Sequence, residues 1–169
     1  MSRAFRREPD GGTSDEALPE RPLSEYPNYV TPASLRQLEE RLGALEKRRL
    51  QLLAGDDEEA SGWEEPALID RDVHYFARRL QSAIPVDLAR QPRRKVEFGA
   101  AVTVSEEDGS RRTFRIVGED EADPGEGKIS YVSPLAAALL QGRVGAGVLW
   151  RRPAGDKRLT IEAIDYPDD

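Results

Sequence analysis

Between Thr31 and Pro85 the aliphatic residues fall on two heptad seams separated by a polar, acidic segment, a pattern that an antiparallel helical hairpin satisfies. Leu35, Leu38, Leu42, Leu45 and Leu52 recur at 3-4-3-7 spacing, broken only where Arg49 takes a seam position. Thr31 is placed to cap the first helix, and Pro32 sits at its first position, where a missing N–H costs nothing. Gly55 suits the left-handed residue that ends it, so the spacing predicts a helix over 32–54. Ile69, Val73, Phe76, Leu80 and Ala83 return at 4-3-4-3 spacing until Pro85 ends the run. A capping box at Ser61–Glu64 would put Pro66 in the fifth helical position and remove a ladder bond, so the second helix is expected to start at Glu65 or Pro66. At the usual helical rise each arm reaches about 30 Å. One narrow seam buries little, so the hairpin is expected to project from another domain.

From Val96 the period becomes that of strands. The pattern predicts strands at 96–104, 113–117, 129–132, 144–150 and 158–166, with turns at Glu107–Ser110 and Pro153–Asp156. Ser133-Pro134 opens a short helix through Leu140, stopped by Gly142. The fold class expected is therefore α+β: an N-terminal helical hairpin, then a small antiparallel sheet with one helix on a face. The domains read as a disordered tail over 1–28, the hairpin over 29–88, a basic linker over 89–95 and the sheet domain over 96–169. The tail carries Pro9, Pro19, Pro22 and Pro27 with almost no aliphatics, too polar to offset the entropy of ordering it. An arm that docks on a partner is the other reading of it.

Charge and composition narrow the function. The 169 residues carry a net charge of −7, which argues against binding duplex DNA through a general basic surface. By segment the charge is −2 over 1–28, zero over 29–95 and −5 over 96–169. Within the neutral segment the signs are segregated. Asp56–Glu65 holds six carboxylates and no base, whereas Lys47-Arg48-Arg49 and Arg90, Arg93, Arg94 and Lys95 are basic. With no Cys and one His, disulfides, thiolate zinc sites, Cys nucleophiles and His-rich metal sites are excluded. The longest apolar run, Leu135–Leu140, is too short to span a membrane, and residues 1–28 hold no apolar signal region. A soluble, cytoplasmic, monomeric protein is expected.

The run Asp56-Asp57-Glu58-Glu59 at the hairpin tip is the strongest chemical candidate. Mg²⁺ takes oxygen ligands and commonly only one or two protein carboxylates, so such a tip could complete a metal site supplied by another molecule. A solvated turn kept open by charge repulsion fits the same residues. A second cluster, Glu119–Asp123, could also hold a cation but lacks the ligand spacing of a calcium loop. Trp63, an indole among carboxylates, either contacts a partner or folds back over the seam. His74 falls on the exposed flank of the second helix. No nucleophile elbow, phosphate-binding loop or H-E-x-x-H motif is present.

The C-terminal residues Val96–Val102, Phe114–Asp123 and Lys128–Leu140 resemble the bacterial GreA/GreB transcript-cleavage factors in order and spacing. Tyr29-Val30-Thr31-Pro32 is similar to the family's start, and Ile69–Leu80 to the returning helix of its GreB branch. The resemblance covers about residues 29–166. It implies an FKBP-like C-terminal domain that grips RNA polymerase at its secondary channel. Ser133, Pro134 and Leu135, at the start of the short helix, would lie on that contact surface. It further implies that the hairpin enters the channel and that tip carboxylates, here Asp56 and Asp57 foremost, share a Mg²⁺ with the polymerase to promote hydrolysis of backtracked RNA. The factor would then have no active site and no intrinsic cofactor, and would read no nucleic-acid sequence. Two departures stand out. The family's tip motif, an Asp two residues before Glu-Asn, is absent. The hairpin is also shorter by about a dozen residues, hence about 9 Å per arm. A regulator that occupies the channel without stimulating cleavage is therefore an equal reading. An FKBP-type prolyl isomerase is a distant one, since Phe98, Phe114, Tyr131, Trp150 and Tyr166 are scattered over separate strands.

Overall fold

The computed structural model describes residues 18–55 and 64–167. Its first element is a two-residue strand, β1 (Tyr29–Val30), followed by helix α1 (Pro32–Ala54) and helix α2 (Glu64–Gln81). Thr31 caps α1 by accepting from the Ser34 N–H at 3.0 Å, and Gly55 closes it at φ 73°. The sequence-predicted bounds of this helix coincide with those observed. Helix α2 begins at Glu64, one residue earlier than expected. Pro66 then stands in the first turn, where the backbone N–H has no intrahelical partner to lose.

The seam is narrow, as its spacing implies. Leu38 of α1 and Ile69, Val73 and Phe76 of α2 are buried, with Leu35, Leu42 and Leu45 half-buried beside them. Distally the packing thins, and Leu50, Leu53 and Leu68 are exposed. Arg48 bonds Glu65 across the arms at 2.7 Å, and Arg49 faces Asp70 at 3.7 Å. At the base, β1 pairs in parallel with β2 (Ile84–Pro85), which closes the hairpin with a clip that nothing in the periodicity announced.

The second unit is a five-stranded sheet in the order β5-β4-β3-β7-β6: β3 (Ala101–Glu106), β4 (Arg111–Val117), β5 (Lys128–Ser130), β6 (Gly147–Trp150) and β7 (Lys157–Asp165). Helix α3 (Pro134–Leu139) lies across one face. Its Leu135, Ala136 and Leu139 join Val102, Val104, Ile116 and Ile161 in one core. An α+β fold is thus observed, with two corrections. The sheet is mixed rather than antiparallel, because β5 runs parallel to β4. Residues 118–127 form two 3₁₀ turns, Glu119–Glu121 and Pro124–Glu126, that carry the chain back before it re-enters the sheet. The first strand also starts later than expected. Gly99, at φ 87°, turns the chain before β3, so Val96 and Ala100 are buried without belonging to a strand.

Residues 18–28, read from sequence as part of a tail, pack along α2. Arg21 bonds Asp72 at 3.2 Å, and the buried Asn28 bonds the Arg79 carbonyl at 2.7 Å. A 3₁₀ turn, Leu88–Arg90, spans the expected boundary of hairpin and linker, and its Leu88 is buried against Gly99.

Candidate functional site

Two features bear on function: the start of α3 and the joint between hairpin and sheet domain. At α3, Ser133 is the cap and accepts from the Ala136 N–H at 3.2 Å. Pro134 occupies the first helical position and is exposed, while Leu135 is turned into the core at 4% exposure. Of the three residues assigned to a contact surface, Pro134 presents its ring outward, Ser133 is half-buried and Leu135 anchors the helix from beneath. Asp56, Asp57, Glu58, Glu59 and Trp63 lie outside the described residues. Among the described residues no group of three or more His, Cys, Asp or Glu could hold a metal ion.

The joint is built from charges that the sequence alone could not pair. Arg79, 3% exposed on the last turn of α2, donates from Nε to Asp120 Oδ2 at 2.5 Å and from Nη2 to Asn28 Oδ1 at 2.6 Å. The Tyr75 hydroxyl donates to the other Asp120 oxygen at 2.9 Å. Burial, and then that hydrogen bond, push the Tyr75 pKa above its ordinary value. Thr31, fully buried, does double duty: Oγ1 accepts from Ser34 and donates to Glu121 Oε2 at 2.6 Å. Lys128 faces the other Glu121 oxygen at 3.4 Å. Asp123 accepts from the Gly125 N–H at 3.0 Å. The Glu119–Asp123 cluster, read above as a candidate cation site, thus has Asp120, Glu121 and Asp123 committed to protein partners.

Aromatic and backbone contacts complete the joint. Tyr29 packs against Phe98 at 5.9 Å and Tyr131 at 5.5 Å, and the Tyr131 hydroxyl donates to the Pro27 carbonyl at 2.6 Å. Phe98 and Tyr131 therefore face the base of the hairpin as well as each other. Gly118 lets the Tyr29 carbonyl approach so closely that a Cβ there would collide with it. Sequence reading missed Arg21, Asn28, Tyr75, Arg79 and the partners of Glu119–Asp123. The one signal available was an uncompensated acidic loop in a chain with a basic helix end, Arg78-Arg79.

Comparison with known proteins fits this architecture. Residues 91–166 match the family model described as Transcription elongation factor, GreA/GreB, C-term. The chain is 33% identical over 157 residues to transcription elongation factor GreB of Neisseria meningitidis serogroup B, covering 85% of this chain and 96% of that protein. It is 34% identical over 138 residues to transcription elongation factor GreA of Chloroflexus aurantiacus, covering 79% of this chain and 84% of that one. Among solved structures, the GreA factor homolog 1 (Gfh1) protein of Thermus thermophilus is 25% identical and covers 83% of this chain and 99% of that chain. The TM-score of that match is 0.40. On the near-complete match to the Neisseria protein, the chain belongs to the GreA/GreB family of transcription elongation factors.

Proposed function

We propose that this transcription elongation factor binds RNA polymerase through the sheet domain and places its hairpin in the polymerase secondary channel. The observation that carries the reading is the joint. A two-helix arm whose α1 is about 34 Å long is held to a separate domain at its base by the buried Arg79–Asp120 pair and the Thr31–Glu121 hydrogen bond. That geometry suits reaching into a recess while the body stays outside. The exposed Pro134 at the start of α3 is the candidate contact with the channel rim. The chain supplies no catalytic group of its own in this reading, and a cytoplasmic location follows from the partner. Co-purification with core polymerase is the test: parent protein is retained, and Pro134→Asp weakens retention without changing thermal stability. Absence of retention by the parent would sink the proposal.

Two uses of the tip divide the reading. If Asp56, Asp57, Glu58 and Glu59 reach the catalytic centre, they share a Mg²⁺ with the polymerase, orienting the ion that activates water. Occupation of the channel without cleavage is favoured by arm length, since arms about 9 Å short of the family's place the tip outside ligation distance when docked alike. A halted, backtracked complex separates them. Shortening of the RNA that disappears in the fourfold alanine variant of those residues supports cleavage, and an unchanged RNA with slowed elongation supports occupation.

A further inference from the structure

We propose that residues 18–28 form a brace that sets the angle of the hairpin against the sheet domain, with Arg21 as its outer positioning residue. The contacts form a closed circuit. The Arg21 guanidinium lies 3.8 Å from the centroid of the Tyr75 ring and bonds Asp72 on the same helix. The Tyr75 hydroxyl bonds Asp120 of the sheet domain, and the other Asp120 oxygen receives Arg79. Arg79 in turn bonds Asn28, which returns the circuit to the segment that carries Arg21. Pro27 adds a direct tie to the sheet domain through Tyr131, and the Ile84 N–H donates to the Asn28 carbonyl at the clip.

The elements of this circuit have different jobs. Arg79, Asn28 and Thr31 are buried, so the inner joint holds the two units together. Arg21 is about one-third exposed and lies outside the sheet-domain core; its guanidinium covers Tyr75 and Phe76 at the rim of the hairpin cluster. What it does is press on the face of Tyr75, whose hydroxyl is a ligand of the carboxylate that the sheet domain offers. Arg21, Arg41, Phe76 and Asp120 together line an open groove of about 850 Å³ between α1, α2 and the acidic loop. Arg41 lies 5.1 Å from the Phe76 centroid from the α1 side, while Arg21 lies 5.4 Å from the same ring. Loss of the outer guanidinium removes one support of Tyr75 and of its bond to Asp120, so the groove widens and the arm samples a broader range of angles about the inner joint. The angle of the arm decides where its tip lies when the sheet domain is docked; that consequence rests on the polymerase reading, but the brace itself does not.

The chain has no cysteine, so paired spin labels can be introduced cleanly at Gln51→Cys on α1 and Glu107→Cys in the β3–β4 turn, both exposed. Distances between the labels are measured in the full chain without polymerase. A single narrow distribution is expected for the parent. Arg21→Ala should raise the population of splayed orientations about two- to fivefold, the range of an exposed cation–π contact. Arg21→Lys, which keeps the charge opposite Asp72 but not the planar stack, should fall between. Tyr75→Phe keeps the ring and removes the bond to Asp120, and should splay the arm by the other half of the circuit. A distribution unchanged from the parent in Arg21→Ala, with parental helicity, would overturn the brace whether or not Tyr75→Phe splays the arm. Loss of polymerase binding by the parent would leave this result standing, so the two proposals fail separately.

Discussion

At the residue scale the decisive pair is Arg79 and Asp120. Both side chains are largely covered, at 4% and 14% exposure. A buried pair adds little net stability over apolar packing, yet removing one member strands the other. Arg79→Ala is therefore expected to cost about 3 kcal/mol in urea unfolding, and Arg79→Lys to recover only part, because a point charge cannot serve Asp120 and Asn28 as a planar fork does. Tyr75 carries the pH dependence. Its folded pKa lies above the ordinary 10.0, so the neutral hydroxyl is favoured in the folded state. The associated stability is fully present below that value and is lost as pH rises through the raised one. The unfolding midpoint of the parent should fall at strongly alkaline pH. Tyr75→Phe should show a shallower fall, not an absent one, since burial also raises Tyr131 and Tyr166. Thr31 shows where sequence reading stops. Its role as a cap depends on a neighbour three residues away and was legible; its bond to Glu121 spans 90 residues and was not.

At the scale of elements, α1 was fixed by local chemistry. A proline at the first position, a capping threonine, a leucine period and a terminal glycine all agree, and the helix ends where they say. The strands were less legible. β5 runs parallel to β4 because of the path taken by residues 118–127, and no residue within β5 encodes its direction. Two glycines test the local argument in opposite senses. Gly43 lies in α1 with open space around the site of a Cβ. Gly43→Ala should stabilise the protein by up to about 1 kcal/mol, the propensity difference, read as a higher urea midpoint. Gly118→Ala should destabilise it by about 1–3 kcal/mol, because the new methyl meets the Tyr29 backbone and the joint must open to admit it.

For the whole molecule, the segregation of charge was legible as a pattern but not as a set of contacts. The acidic loop invited a cation in sequence and receives Arg79 and Lys128 in the structure. Family membership was legible because its motifs are strings of neighbouring residues. The joint was not, because it gathers residues from four separate stretches of the chain. Those distant pairs are also what make the protein more than two linked units. Weakening them in Arg79→Ala should lower retention on core polymerase less than Pro134→Asp does, while disturbing any effect on elongation more. Co-purification and an elongation assay on the same variants check that split.

The parallel clip of β1 with β2 has a consequence for how such arms can vary. Both chain ends of the hairpin are pinned side by side, and the phase of α1 is set at Thr31 before its first turn. Beyond Asp72, the outermost residue bonded to the 18–28 segment, the described residues of the arm are joined to each other by Arg48–Glu65 and Arg49–Asp70, and it is there that length can change without touching the mount. Seven residues added to each arm would lengthen it by about 10 Å and keep the leucine seam nearly in register. Five would turn the distal seam about 140° away from its interface. Reach can thus be retuned in heptad steps while the body and its mount stay unaltered.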